Sequence, residues 1–128
     1  MTEVRNDCDK GAKEVRHMSR HENDAVARNG AGMKYVKLGG VRTFPNVKPT
    51  KEQALKVLEE AAEVVEAFKQ RDPRDETHIG CATANVLDEI ADTIQACCNL
   101  AASLGVTDLT PYLARCEERN RKRGRYDA

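Results

Sequence analysis

Val57-Leu58-Glu59-Glu60-Ala61-Ala62-Glu63-Val64-Val65-Glu66-Ala67-Phe68 and Val86-Leu87-Asp88-Glu89-Ile90-Ala91-Asp92-Thr93-Ile94-Gln95-Ala96-Cys97 are two versions of one pattern. At a constant offset Glu60 falls on Glu89, Glu63 on Asp92, Glu59 on Asp88 and Val65 on Ile94. Each copy sets an acid pair three residues apart beside an apolar arc, the spacing that brings both acids to one face of a helix. Two such helices side by side converge four carboxylates on one spot. Gathered acids repel, by roughly 4 kcal/mol per close pair at an effective dielectric of about 20. A hard divalent cation between them turns that repulsion into coordination. The repeat therefore points to a magnesium site on a helical scaffold.

Helix punctuation surrounds both copies. Thr50 reads as an N-cap, with Gln53 completing a capping box, and the pattern from Leu55 to Phe68 ends in turn residues near Arg71. A second helix is expected from about Cys81 to Leu104, closed by Gly105 in the C′ position. Thr110 followed by Pro111 opens a third, ending near Gly124. Upstream, Tyr35-Val36-Lys37-Leu38 and Val41-Arg42-Thr43-Phe44 flank Gly39-Gly40, the signal of a small β-hairpin over 35–44. Residues 1–29 are polar and charged, a weak helix or a disordered tail. The expected fold is all-α: a helical bundle that a single chain cannot close, completed by oligomerisation as a homodimer or homotetramer. Residues 1–45 form an N-terminal appendage and 46–128 the helical domain.

Composition bounds the function. The chain has 128 residues, enough for one domain, and its 21 Lys and Arg balance its 21 Asp and Glu. That balance argues against a nucleic-acid partner, and no apolar run approaches membrane-spanning length. The charged N-terminus does not read as a signal peptide, and five cysteines without a paired framework suit a reduced, cytoplasmic protein. His17 and His21 with Glu14 have the spacing of a weak metal site, but in a polar tail they read as surface residues.

On a helical wheel the acids of both copies lie opposite the centre of the apolar arc, as on any amphipathic surface helix. Three features favour a metal site over a solvated face. The acids match in phase between the copies. The positions four residues after Glu59, Glu60, Glu89 and Asp92 are Glu63, Val64, Thr93 and Ala96, so none offers a cation. Small residues, Ala61, Ala62, Ala67, Ala91 and Ala96, permit close helix approach.

Glu59-Glu60-Ala61-Ala62-Glu63 followed by Glu89-Ile90-Ala91-Asp92 resembles the EExxE…ExxD motif of the MazG-like all-α nucleoside triphosphate pyrophosphohydrolases. The stretch from Cys98 to Val106 and the ending Asn120-Arg121-Lys122-Arg123-Gly124-Arg125-Tyr126 are similar to that family's continuation, so the resemblance covers residues 49–126. It implies Mg²⁺-dependent hydrolysis of a (deoxy)nucleoside triphosphate to a monophosphate and pyrophosphate, in nucleotide-pool cleansing, with Mn²⁺ able to substitute. It implies Glu60, Glu63, Glu89 and Asp92 as metal ligands and Glu59 as a catalytic, water-orienting group. Arg119, Asn120, Lys122 and Arg123 would bind substrate phosphates, carried back toward Glu89 and Asp92 by an antiparallel third helix or supplied by a partner subunit. The chain departs from the family in having no Trp to meet a base. The alternatives are a phosphoribosyl-ATP pyrophosphatase and a non-catalytic helical oligomerisation module.

Overall fold

The computed structural model describes residues 34–71 and 81–127. The tail over 1–29, with His17 and His21, and most of the turn after Arg71 lie outside the described residues. What is described is all-α: α1 (Lys51–Lys69), α2 (Cys81–Ser103) and α3 (Thr110–Lys122). None of these helices is long and apolar enough to cross a membrane.

Each helix boundary has a local cause. Thr50, extended at φ −109° and ψ 160°, accepts the Gln53 backbone N–H on its side chain at 3.3 Å and so caps α1. Glu52 in the first turn and Lys69 in the last complement the helix dipole. α2 ends in a Schellman motif: Val106 N–H donates to Ala101 O at 3.0 Å and Gly105 N–H to Ala102 O at 2.9 Å. That closure needs φ +82° at Gly105, a conformation in which a Cβ crowds the next carbonyl. Gly124, φ +68°, closes α3 in the same way. The start of α3 differs from the sequence expectation. Thr110 is already helical and Leu109 takes the N-cap position without a side-chain bond, while Asp108 Oδ1, one residue earlier, accepts Thr110 N–H at 2.9 Å. That bond holds the Asp108 carboxyl below its ordinary range.

α1 and α2 pack on each other as an antiparallel pair, the Arg71 Nε–H at the end of α1 donating to Thr83 Oγ1 at the start of α2. The contact face is not the apolar arc. On α1 the part-buried positions are Gln53, Val57, Glu60, Ala61, Val64 and Ala67; on α2 they include Val86, Glu89, Thr93 and Leu100, around the buried Ala96. Small side chains at Ala61, Ala67 and Ala96 let the helices approach there. The large apolar side chains point elsewhere: Leu58 is 67% exposed, Phe68 58% and Leu104 66%. Ala96 is the one fully buried apolar residue among the described residues. The acids expected opposite the packing face therefore flank it, and most of the apolar arc is exposed, including Leu55, Leu58, Val65, Leu87 and Ile90, while Ile94 and Ala101 are part-buried beside the arm.

Residues 34–50 form an irregular arm across α2, and no strand pair spans 35–44 among the described residues. Two amides fix it. Asn99, 3% exposed, accepts the Phe44 backbone N–H at 3.0 Å, and Gln95 Nε2 donates to Arg42 O at 2.9 Å and to Asn99 Oδ1 at 3.0 Å. Asn46, with φ +62°, follows Pro45 in the turn that redirects the arm into α1, the backbone Asn tolerates best after Gly. The arm, the second half of α2 and the root of α3 enclose an apolar groove of about 450 Å³. α3 itself packs on neither α1 nor α2.

Candidate metal centre

Glu60 and Glu63 sit one turn apart on α1, and Glu89 faces them from α2. Each offers a carboxylate oxygen, and the three oxygens lie within 4.8 Å of one another. The antiparallel register produces this meeting, because it sets the middle of one acid repeat against the start of the other. Glu60 and Glu89 are half-buried and Glu63 is exposed. Among the described residues Glu89 Oε2 is buried with no hydrogen-bond partner. An acceptor removed from water without a donor costs free energy that the fold must carry.

Repulsion from Glu60, then partial loss of water, then repulsion from Glu89 push the Glu63 carboxyl above its ordinary range. No cation stands four residues after Glu59, Glu60, Glu89 or Asp92, but one stands on the turn before. Lys56, on the preceding turn, reaches Glu59 at 3.0 Å and Glu60 at 3.2 Å, and both contacts raise its ammonium pKa. The exposed Lys56 tempers the negative field at one edge of the group, with no ion pair to Glu63 or Glu89 among the described residues.

Of the four expected ligands, the structure gathers Glu60, Glu63 and Glu89. Asp92, exposed and almost one turn further along α2, stands outside the three-oxygen group. Glu59 is exposed and engaged by Lys56. The Arg119, Asn120, Lys122 and Arg123 quartet lies on or just past α3, and since α3 packs on neither other helix, this chain does not return it along α2 to its own acids.

A cleft of about 270 Å³ opens beside the acids, lined by Glu63, Glu66, Ala67, Gln70, Asn85, Asp88 and Glu89. Sequence reasoning passed over Glu66 and Asn85, although each stands at three- or four-residue spacing from an expected ligand, the spacing that defines the motif itself. Three converging carboxylates, one with a partnerless buried oxygen, form an oxygen-only donor set suited to a hard dication.

Comparison of the chain with protein-family models, with curated proteins and with solved structures finds no match in any of the three.

Proposed function

We propose that the chain is a Mg²⁺-dependent nucleoside triphosphate pyrophosphohydrolase of the MazG-like kind, working as a cytoplasmic homo-oligomer. The observation that carries this reading is the convergence of Glu60, Glu63 and Glu89 around the partnerless Glu89 Oε2. The donor set fits Mg²⁺ or Mn²⁺, with Asp92 completing the set by a rotamer change. Glu60, Glu63 and Glu89 would hold the dication, which would supply charge compensation to phosphate oxygens and a more acidic bound water. Glu59, released from Lys56, orients water at the rim, and the cleft between Gln70 and Asn85 receives the remainder of the nucleotide.

Self-association belongs to the same proposal. Leu55, Leu58, Ala62 and Val65 on α1, and Leu87, Ile90, Ile94, Cys97, Ala101 and Leu104 on α2, alternate at three and four residues, the spacing of a helix-packing seam. In an antiparallel pair their wheel phases place both seams on one side and the acids on the other. A second copy laid on that side closes a four-helix bundle and covers the arc that one chain leaves in water.

One specific observation favours the rival, non-catalytic module: Lys56 pairs Glu59 and Glu60 as an ordinary charged surface would. Product analysis separates the two. With Mg²⁺ and a panel of ribo- and deoxyribonucleoside triphosphates, the proposal expects monophosphate and pyrophosphate with no diphosphate intermediate. No turnover of any member, or diphosphate as the main product, contradicts it.

A further inference from the structure

A fixed cation stands at one end of the cleft beside the acids. Arg71 follows Gln70, which lines the cleft from α1. Its Nε–H donates at 3.2 Å to Thr83 Oγ1, two residues before Asn85, which lines the cleft from α2. That bond crosses from the end of α1 to the start of α2. The guanidinium also lies over the Phe68 ring, 5.9 Å from its centroid. Two contacts thus restrain a side chain that would otherwise sample many rotamers.

Neither contact answers its charge. A guanidinium has five N–H donors and no acceptor. Thr83 takes the Nε–H; among the described residues Nη1 and Nη2 make no hydrogen bond and no carboxylate pairs with them. Arg71 is half-buried, so a cation is drawn partly out of water, held still, and left with its planar fork unused. A residue that only stapled the helix ends would gain more from an acid in place of Thr83.

Position selects the ligand. From Thr83 to Glu89 the chain rises about 9 Å along α2, at about 1.5 Å per residue. A phosphate chain chelated at Glu60, Glu63 and Glu89 ends short of that, whereas the base at the far end of a nucleotide reaches it. Between the two points the cleft offers the amides of Gln70 and Asn85 and the carboxylates of Glu66 and Asp88. Guanine matches that set best. Its O6 and N7 are adjacent acceptors that a guanidinium fork engages with two parallel bonds, and its N1–H and N2–H₂ donors suit a carboxylate. Adenine breaks the acceptor pair with its N6–H₂ donor. Cytosine lacks the second donor, and thymine and uracil set one N–H between two carbonyls.

We propose that Arg71, held by Thr83 and Phe68, reads the base, and that the nucleotide taken by this cleft is a guanine nucleotide. This rests on the reading of the acids and cleft as a nucleotide site and supplies what that reading leaves open, the base.

Replacing one atom of the substrate tests it. 7-Deaza-dGTP carries C–H in place of N7 and cannot accept the second bond of the fork. With Mg²⁺ the wild type should turn over dGTP with a kcat/KM about ten- to a hundredfold above that of 7-deaza-dGTP, and above those of dATP, dCTP and dTTP. Arg71→Gln should erase the difference, bringing dGTP down to its analogue. Thr83→Val, which frees the guanidinium at nearly constant volume, should shrink it, and Arg71→Lys, with charge but no fork, should not restore it. A wild type that treats dGTP and its analogue alike overturns the inference and leaves the hydrolase reading standing. So does an Arg71→Gln variant that slows every triphosphate by one factor, the mark of a staple or a phosphate contact. A second arm needs no turnover: calorimetric binding of dGMP and 7-deaza-dGMP with Mg²⁺. Selective binding of dGMP that Arg71→Gln abolishes supports the inference even if no triphosphate is hydrolysed and the enzymatic reading falls. No turnover of any triphosphate together with no binding of either monophosphate overturns both.

Discussion

Replacing Glu89 by Met should stabilise the metal-free protein while removing its response to magnesium. The native side chain buries Oε2 without a donor and stands against Glu60 and Glu63. Leaving one buried acceptor unsatisfied costs about 1–3 kcal/mol, and Met removes that cost while roughly keeping the volume. For a small domain each kcal/mol moves Tm by about 4–8 °C, so the variant in EDTA should melt about 5–20 °C higher than wild type. With Mg²⁺ the order should narrow or reverse. Saturation at about 100 times Kd stabilises the wild type by about 2.7 kcal/mol and leaves the variant unmoved. The assay is thermal melting by circular dichroism at one fixed protein concentration, with and without EDTA, since self-association also moves Tm. A variant that melts below wild type in EDTA would show that Glu89 is satisfied by contacts other than a cation, and the reasoning fails. A variant that keeps the full Mg²⁺ shift refutes the ligand assignment.

The raised Glu63 pKa means that the folded state holds this proton more tightly than the unfolded chain does. In EDTA its contribution should be greatest below the ordinary glutamate pKa and be lost as pH rises through the raised folded value; urea unfolding against pH reads this, and Glu63→Gln should flatten the profile. Asn99→Ala strands the Phe44 N–H and frees Gln95, which should cost about 1–3 kcal/mol and expose residues 34–50 to faster hydrogen exchange and proteolysis; an arm as protected as in wild type contradicts the latch. Asp108→Ala removes the acceptor of the Thr110 N–H and should loosen the start of α3. Because the Asp108 pKa is lowered, that bond's contribution should hold above the ordinary aspartate range and fall as pH drops through the depressed value, measured as loss of stability difference between wild type and variant in acid.

Local signals in the chain were legible: the Thr50 cap, the closing glycines at 105 and 124, and the spacing that brings Glu60, Glu63 and Glu89 together. Those depend on a few neighbouring residues and on one period. The choice of packing face was not legible, because a wheel shows where the large apolar residues lie and not which face a neighbour will take. Here Ala61, Ala67 and Ala96 set the contact, and Leu58, Phe68 and Leu104 are left outward. The course of α3 was missed for a related reason. It is set by the Schellman turn at Gly105 and the Asp108–Thr110 bond, which orient a helix without leaving a mark in hydrophobic periodicity. Lys56 escaped notice because an acid has neighbours on the preceding turn as well as the following one.

The central claim is that Glu60, Glu63 and Glu89 together hold one divalent cation. Mn²⁺ titration followed by electron paramagnetic resonance tests it without reference to any substrate. The account predicts saturable loss of the free Mn²⁺ signal at one ion per chain, competition by Mg²⁺, and loss of that binding in Glu63→Gln and Glu89→Gln at unchanged helical content. A free-ion signal that rises linearly from the first addition, or saturable binding that survives both substitutions, would contradict it.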